Sequence, residues 1–362
     1  MSTESPLPDA NTHDHIGQII VDSASALFQR FGEIVQSGAR PATGRRSWNV
    51  EAWAEFERAG FGLAMLPEDL GGVEPRHALT IVRLAGAHAV ALPVSETMAA
   101  NWLLVKAGLG PASGPLTFAE GDLDLKPDVL GWRIRGRLLR VPWAQSCDVI
   151  SIGHHAGAAY LARIDHPNAA SIVEGSNIAG EPRDDLHFDL KIGNHQVARL
   201  PEGFGSATLH RLGAALRTAQ MAGAMAGALN MSVAYARDRR QFGRPIADFQ
   251  AVQQLLAVMA CQAAAAGAAS DLAADAILDD LEAKAIAAAK VRAGEAAGVV
   301  AAIAHQVHGA MGFTREHSLH HLTSRLWAWR DEFGGESEWS IELGRKLVSE
   351  GSTHLWSTLT GI

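Results

Sequence analysis

The sequence predicts a mainly α-helical protein with a small β-domain set between two helical segments. Three observations carry this. Apolar residues recur at helical spacing from about Ile16 to Gly110. After Pro115 the pattern changes to short runs in which apolar residues alternate with basic ones. From about Phe204 long alanine-rich stretches with short breaks return, and these pack as an antiparallel bundle. The expected division is an N-terminal helical domain over 1–114, an antiparallel β-domain over 115–203 and a four-helix bundle over 204–362.

In the first segment Ile16, Ile19, Ile20, Ala24 and Leu27 fall on one helical face, as do Leu79, Val82 and Leu84 further on, and Pro93 and Gly108–Pro111 punctuate. The polar start, Met1–Thr12, is expected to fray. In the second segment Leu130–Val141, Val149–Gly153 and Ala158–Arg163 are β-type runs separated by turns. In the third, Leu209–Arg239, Phe249–Leu281, Leu281–His308 and Ser337–Val348 are candidate helices, rich in the strongest helix former.

Composition narrows the classes. The chain has 362 residues, 48% of them apolar and 19% charged, enough for two or three folded cores. A net charge of −8 gives no basic surface for nucleic acid or an anionic membrane. Cys147 and Cys261 are too few for a disulfide framework or a zinc site. Of the histidine pairs His154-His155, His320-His321 and His305/His308, only the last has a spacing that places both imidazoles on one helical face, and no HExxH completes a metal set. No apolar run reaches membrane-spanning length without Arg, Asp or Gly interruptions, and the start is no secretory signal, so the expectation is a cytoplasmic protein.

The most informative segment is Tyr235–Gln253. Arg237, Arg239 and Arg240 end a long apolar helix, and Gly243 and Pro245 break it. Asp248 can cap the next helix, which carries Phe249, Val252, Leu256 and Met259 on one face. A guanidinium cluster at a sharp bend suits a phosphate or pyrophosphate, because guanidinium donates two parallel hydrogen bonds to paired oxygens.

Arg239-Arg240-Gln241-Phe242-Gly243, with Pro245, Ile246 and Gln250 beyond it, resembles the Arg-x-x-Phe-Gly signature of the acyl-CoA dehydrogenase flavoproteins. Gln306-Val-His-Gly-Ala-Met-Gly-Phe313 resembles the family's Gln-x-x-Gly-Gly-x-Gly-Phe element, with Ala310 in place of the second glycine. Phe61–Gly72 resembles its Pro-Glu-x-x-Gly-Gly turn. The three blocks occur in the family's order across most of the chain. The resemblance implies the fold described above. It implies FAD bound at a subunit interface and held by Arg239, Gln241, Phe242 and Gln250 on one side and by Gln306, Gly309 and Ala310 on the adenosine side. It implies α,β-dehydrogenation of an acyl-CoA thioester to the trans-2-enoyl form in a homo- or hetero-oligomer, with an electron-transfer flavoprotein as acceptor.

The family's catalytic carboxylate has no direct counterpart. Counting from Gln306 places it at Phe333, and counting from Arg325 places it at Gly334; the alternative family position falls near Gly213. Glu332 is the nearest candidate, with Glu336 and Asp331 as alternatives. Leu116–Asp122 retains at most a remnant of the family's flavin-holding stretch. The parts that reach a neighbour's FAD look intact and the parts that serve the chain's own flavin look degraded, as in the shortened subunit of heteromeric, sterol-side-chain-type members. The alternative reading is therefore a non-catalytic partner completing the FAD site of a catalytic paralogue.

Overall fold

The computed structural model describes residues 10–36, 49–166, 171–278, 281–314 and 316–351. Most of the polar start lies outside these residues, but Ala10–Thr12 already belong to a helix. The N-terminal segment contains α1 (Ala10–Gln36), α2 (Val50–Arg58), α3 (Pro75–Ala87) and α4 (Val94–Lys106). The Asn49 side chain caps α2 by accepting from the Glu51 and Ala52 amides, and Pro75 opens α3 where no amide donor is needed. α4 is buried on every face from Val94 to Leu104 and forms the centre of this layer. Phe28, Phe56 and Phe61 pack around it with centroids 6.1–6.5 Å apart. Between α2 and α3, Gly72 sits so tightly on the Leu66 carbonyl that no side chain fits there, which fixes the loop of the third sequence block.

The middle segment is one sheet of β1 (Leu116–Phe118), β2 (Gly121–Asp128), β3 (Gly131–Pro142), β4 (Asp148–His155), β5 (Ala158–Ile164), β6 (Ser171–Val173), β7 (Arg183–Gly193) and β8 (Val197–Arg199). Its order is β6-β7-β3-β2-β4-β5-β8, with β1 alongside β4. The expectation of an antiparallel domain is corrected on one point: β1 and β2 each pair β4 in parallel, so the sheet is mixed. The cause is connectivity. The turn at Trp143–Cys147 carries the chain from the end of β3 back to lie beside β1 instead of closing another hairpin.

The C-terminal segment consists of α5 (Ser206–Asp238), α6 (Gln250–Leu278), α7 (Ala283–His308), α8 (Leu319–Asp331) and α9 (Glu336–Glu350), with the hairpin β9 (Arg240–Gln241) and β10 (Arg244–Pro245) between α5 and α6. α8 is an element the periodicity did not single out. α5 packs against α3 with backbone nearly on backbone: a side chain at Gly223 would meet the Arg83 carbonyl and one at Gly86 the Gln220 carbonyl. Glu282 caps α7 by accepting from the Lys284 and Ala285 amides. α6 is long and apolar enough over Gln250–Ile277 to cross a membrane by length and composition, yet only 22% of that window is buried inside the chain. It packs on α5 and α7 and leaves an alanine-rich face uncovered.

Candidate functional site

α5 and α7 run in the same direction, so their C-terminal ends share one end of the bundle. There the helix-breaking residues act as the sequence suggests. Phe242 and Gly243 both take positive φ (52° and 82°), the pair of left-handed residues a two-residue hairpin turn of this twist requires. Left-handed backbone is costly for a bulky residue such as Phe242. Its ring stands 92% exposed, edge-on to Phe249 at 6.1 Å, while the Arg244 guanidinium lies 4.3 Å from the other ring's centroid. Arg239, Arg240 and Gln241 are exposed around this hairpin, and Gln250 begins α6 beside it. Asp248 lies in the short turn before α6, whose first amides bond to the Phe249 carbonyl.

The second motif lies against the first. Tyr235, one turn before Arg239, stacks on His308 at 4.5 Å, and His308 immediately precedes Gly309. Gln306, Gly309 and Ala310 are exposed on the corner that follows α7. Beneath it His308 Nδ1 donates to the Ala304 carbonyl (2.7 Å), so its buried Nε2 is an acceptor, and this atom has no partner among the described residues. His305 Nδ1 is likewise buried and unpartnered. Burial lowers both imidazole pKa values and keeps the rings neutral. Exposed guanidiniums beside the orphaned His308 acceptor fit a ligand that carries both phosphates and hydroxyl or amino donors, as a dinucleotide does.

Glu332 is elsewhere. Its carboxylate accepts from Arg183 Nε (2.8 Å), Arg217 Nε (2.7 Å) and Asn177 Nδ2 (3.1 Å), and is 7% exposed. Arg217 also donates to Glu96 on α4 (2.8 Å), and Arg183 to Glu181, which in turn accepts from Arg325 and Trp329. Three carboxylates and three guanidiniums thus form one buried network that joins α4, the sheet, α5 and α8. Burial by itself would raise the Glu332 pKa, but the Arg183 and Arg217 charges and hydrogen bonds outweigh it and hold it down at about 2. Of the alternatives, Asp331 is exposed and Glu336 pairs with Arg330. Along α5, Arg217 precedes Arg239 by about 33 Å at 1.5 Å per residue, the breadth of a small domain.

The three remaining family base positions meet at one corner. A side chain on Gly213 would fall on the Phe333 ring, which stacks on Phe118 at 5.5 Å. Gly334 has φ +86°, and a side chain there would meet Trp339 Nε1 and His210 Nε2. Lys290 braces the turn by donating to the Arg330 and Gly334 carbonyls, both at 2.7 Å. His210 was not singled out in the sequence. One turn before Gly213, it could have been found by asking which titratable residue shares that helical face.

The profile of the acyl-CoA dehydrogenase C-terminal domain matches residues 207–343. The chain is 35% identical over 159 residues to 3-sulfinopropanoyl-CoA desulfinase of Paraburkholderia xenovorans, covering 41% of this chain and only 40% of that protein. It is 27% identical over 307 residues to acyl-CoA dehydrogenase IpdE2 of Mycobacterium tuberculosis, covering 81% and 87% of the two chains. In three dimensions it resembles a chain of the ChsE4-ChsE5 complex of Mycobacterium tuberculosis (TM-score 0.80, 21% identity, 92% and 97% covered) and a glutaryl-coenzyme A dehydrogenase in complex with glutaryl-CoA (TM-score 0.78, 17% identity, 96% and 97% covered). With these matches added to the fold and the two motif corners, residues 207–343 carry the acyl-CoA dehydrogenase C-terminal domain, and the whole chain has the fold of the acyl-CoA dehydrogenases it resembles.

Proposed function

We propose that this chain is a subunit of an FAD-dependent acyl-CoA dehydrogenase that converts an acyl-CoA thioester to its trans-2-enoyl form. FAD supplies the hydride acceptor when bound. Arg239, Gln241, Phe242 and Gln250 would hold it from the hairpin side, and Gln306, Gly309 and Ala310 from the adenosine side. The observation that carries the reading is the convergence of these two corners beside the orphaned acceptor nitrogen of His308, a full helix length from the Glu332 region. One cofactor cannot lie at both ends of α5, so the hairpin end serves a flavin whose other half belongs to a second chain. The uncovered face of α6 is the surface on which such a chain would pack. An electron-transfer flavoprotein is the expected acceptor, and two unpaired thiols suit a cytoplasmic setting.

Glu332 is inferred to be a structural anion and not the base. A base must be free to take a proton near neutral pH, whereas this carboxylate is saturated with donors and ionised far below it. A second reading, a partner that completes the FAD site of a catalytic paralogue, is favoured by one observation: neither Gly213 nor Gly334 has room for a carboxylate. The test is the visible spectrum and native mass of the chain, purified alone and with a co-expressed paralogue, followed by anaerobic addition of acyl-CoA. Flavin bound in an oligomer and bleached by substrate supports the proposal. Bleaching only in a mixed complex selects the partner reading, and a flavin-free protein in every combination defeats both.

A further inference from the structure

We propose that the histidines around the α7–α8 connection, His305, His308, His317, His320 and His321, form an acid-sensitive latch that keeps the Gln306–Ala310 corner closed at neutral pH and opens it on acidification. That the latch governs a dinucleotide site rests on the proposal that this corner holds FAD. The five imidazoles come from two helix ends and the turn between them. The His308 and His317 rings lie 4.7 Å apart, centroid to centroid, and the His320 and His321 rings 4.0 Å apart. Tyr235 of α5 covers the first pair, at 4.5 Å from His308 and 6.1 Å from His317. The turn at Gly309–Phe313 is folded down on the rings: a side chain on Gly312 would begin 3.2 Å from His305 Nδ1 and 3.0 Å from His308 Cβ.

The hydrogen bonds of three of these rings fit the neutral form. His317 Nδ1 accepts from the Leu319 amide at the start of α8 (3.2 Å), and a proton on that nitrogen abolishes the bond. His308 already donates through Nδ1, so a second proton would go on the buried Nε2, which has no partner among the described residues. In His305, Thr323 Oγ1 serves Nε2 (3.0 Å), and Nδ1 is buried without a partner among them. An imidazolium at either place holds a desolvated N–H with no acceptor. The other titratable neighbours are Tyr235 from α5 and Arg325 from α8, which donates to the His321 carbonyl (2.9 Å) and to Glu181 (3.0 Å). Among the described residues no carboxylate lies within ion-pair distance of any of the five rings. Glu316, beside His317 in the chain, is exposed. Burial, with repulsion from neighbouring imidazoles and from Arg325, lowers the pKa values of His305, His308, His317 and His321, the last to about 4. Stacking on Phe313 (4.4 Å) and Trp327 (5.9 Å) offsets part of the cost at His305 alone. In an opened corner the rings are solvated and titrate near the ordinary 6.5. Closure is therefore favoured in full above pH 6.5 and loses ground as pH falls from there toward 4.

Hydrogen–deuterium exchange read by mass spectrometry tests this on the full chain, in the complex in which it is isolated, at pH 7.5 and 5.5 with rates corrected for intrinsic amide chemistry. Peptides spanning 304–323 should open about 10-fold more often at pH 5.5, the factor supplied by one site that titrates at 6.5 when open and at about 4 when closed. α4, which carries no histidine, should keep its protection. His317→Phe and His321→Phe each keep a ring in place without its proton, and each should leave a smaller rise. No rise in wild type, a rise shared equally by α4, or a rise untouched in both variants overturns the latch. Absorbance of the FAD-loaded complex after filtration at the same two pH values separates this inference from the reading it rests on. Opening and FAD release together at pH 5.5 are the expected result. Opening with FAD still bound sustains the latch and sinks the placement of the adenosine side at this corner. FAD release with 304–323 still closed overturns the latch and leaves that placement standing.

Discussion

Glu332 illustrates how little a carboxylate's position in sequence says about its chemistry. Two buried guanidiniums compensate its charge, and removal of one partner leaves the others desolvated and unpaired. Glu332→Gln is therefore expected to destabilise the fold by about 3–5 kcal/mol, read from the midpoint of urea unfolding with an unchanged slope. Arg239 is the opposite case: exposed, at a helix end, and outside that network. Arg239→Met should leave the unfolding midpoint within about 0.5 kcal/mol of wild type. In the flavin-loaded complex it should weaken FAD retention by about 10- to 100-fold, the worth of charge-assisted hydrogen bonds of about 1.5–3 kcal/mol, measured by dialysis and absorbance. At Gly213 a methyl group would strike the Phe333 ring. Gly213→Ala should cost about 1–3 kcal/mol through overpacking, by the same unfolding measurement.

The elements are joined by charges whose titration gives opposite pH signatures. The Glu332 network fastens α8 to the sheet and to α5. Its folded pKa of about 2 lies below the ordinary 4.5. The stability it contributes, about 3 kcal/mol, is thus complete above pH 4.5 and disappears as pH falls from there toward 2. Glu332→Gln should flatten that acid limb of the unfolding free energy. The His210–Glu120 clip fastens α5 to the turn after β1. Its folded pKa is raised above 6.5. Its contribution is complete below that value and is lost as pH rises through the folded pKa. His210→Gln should therefore make stability less dependent on pH on the alkaline side, and a loss confined to the acid side would contradict the assignment. The hairpin between α5 and α6 relies on neither. It is set by local turn geometry and by rings packed on its own residues.

At the scale of the molecule, three layers meet along α5, the longest helix, which carries His210 and Arg217 near one end and Tyr235 and Arg239 at the other. This separation is the basis for the proposal that a second chain completes the site at the hairpin end. The motif corners were legible in sequence because each is local: arginines at a helix end, a Phe-Gly turn, a glycine-rich exit from α7. Helix–sheet–bundle order was legible for the same reason, since periodicity and turn residues act over a few neighbours. The parallel pairing of β1 and β2 with β4 was not, because register depends on where a later connection returns. Nor was the fate of Glu332, whose partners Arg183 and Arg217 lie more than a hundred residues away. The sequence by itself determined the order of the layers and the two local motif corners. Only the tertiary structure decided which carboxylate is buried in ion pairs and which histidine is clipped to the turn after β1, because burial and charge compensation arise between residues that the chain brings together only on folding.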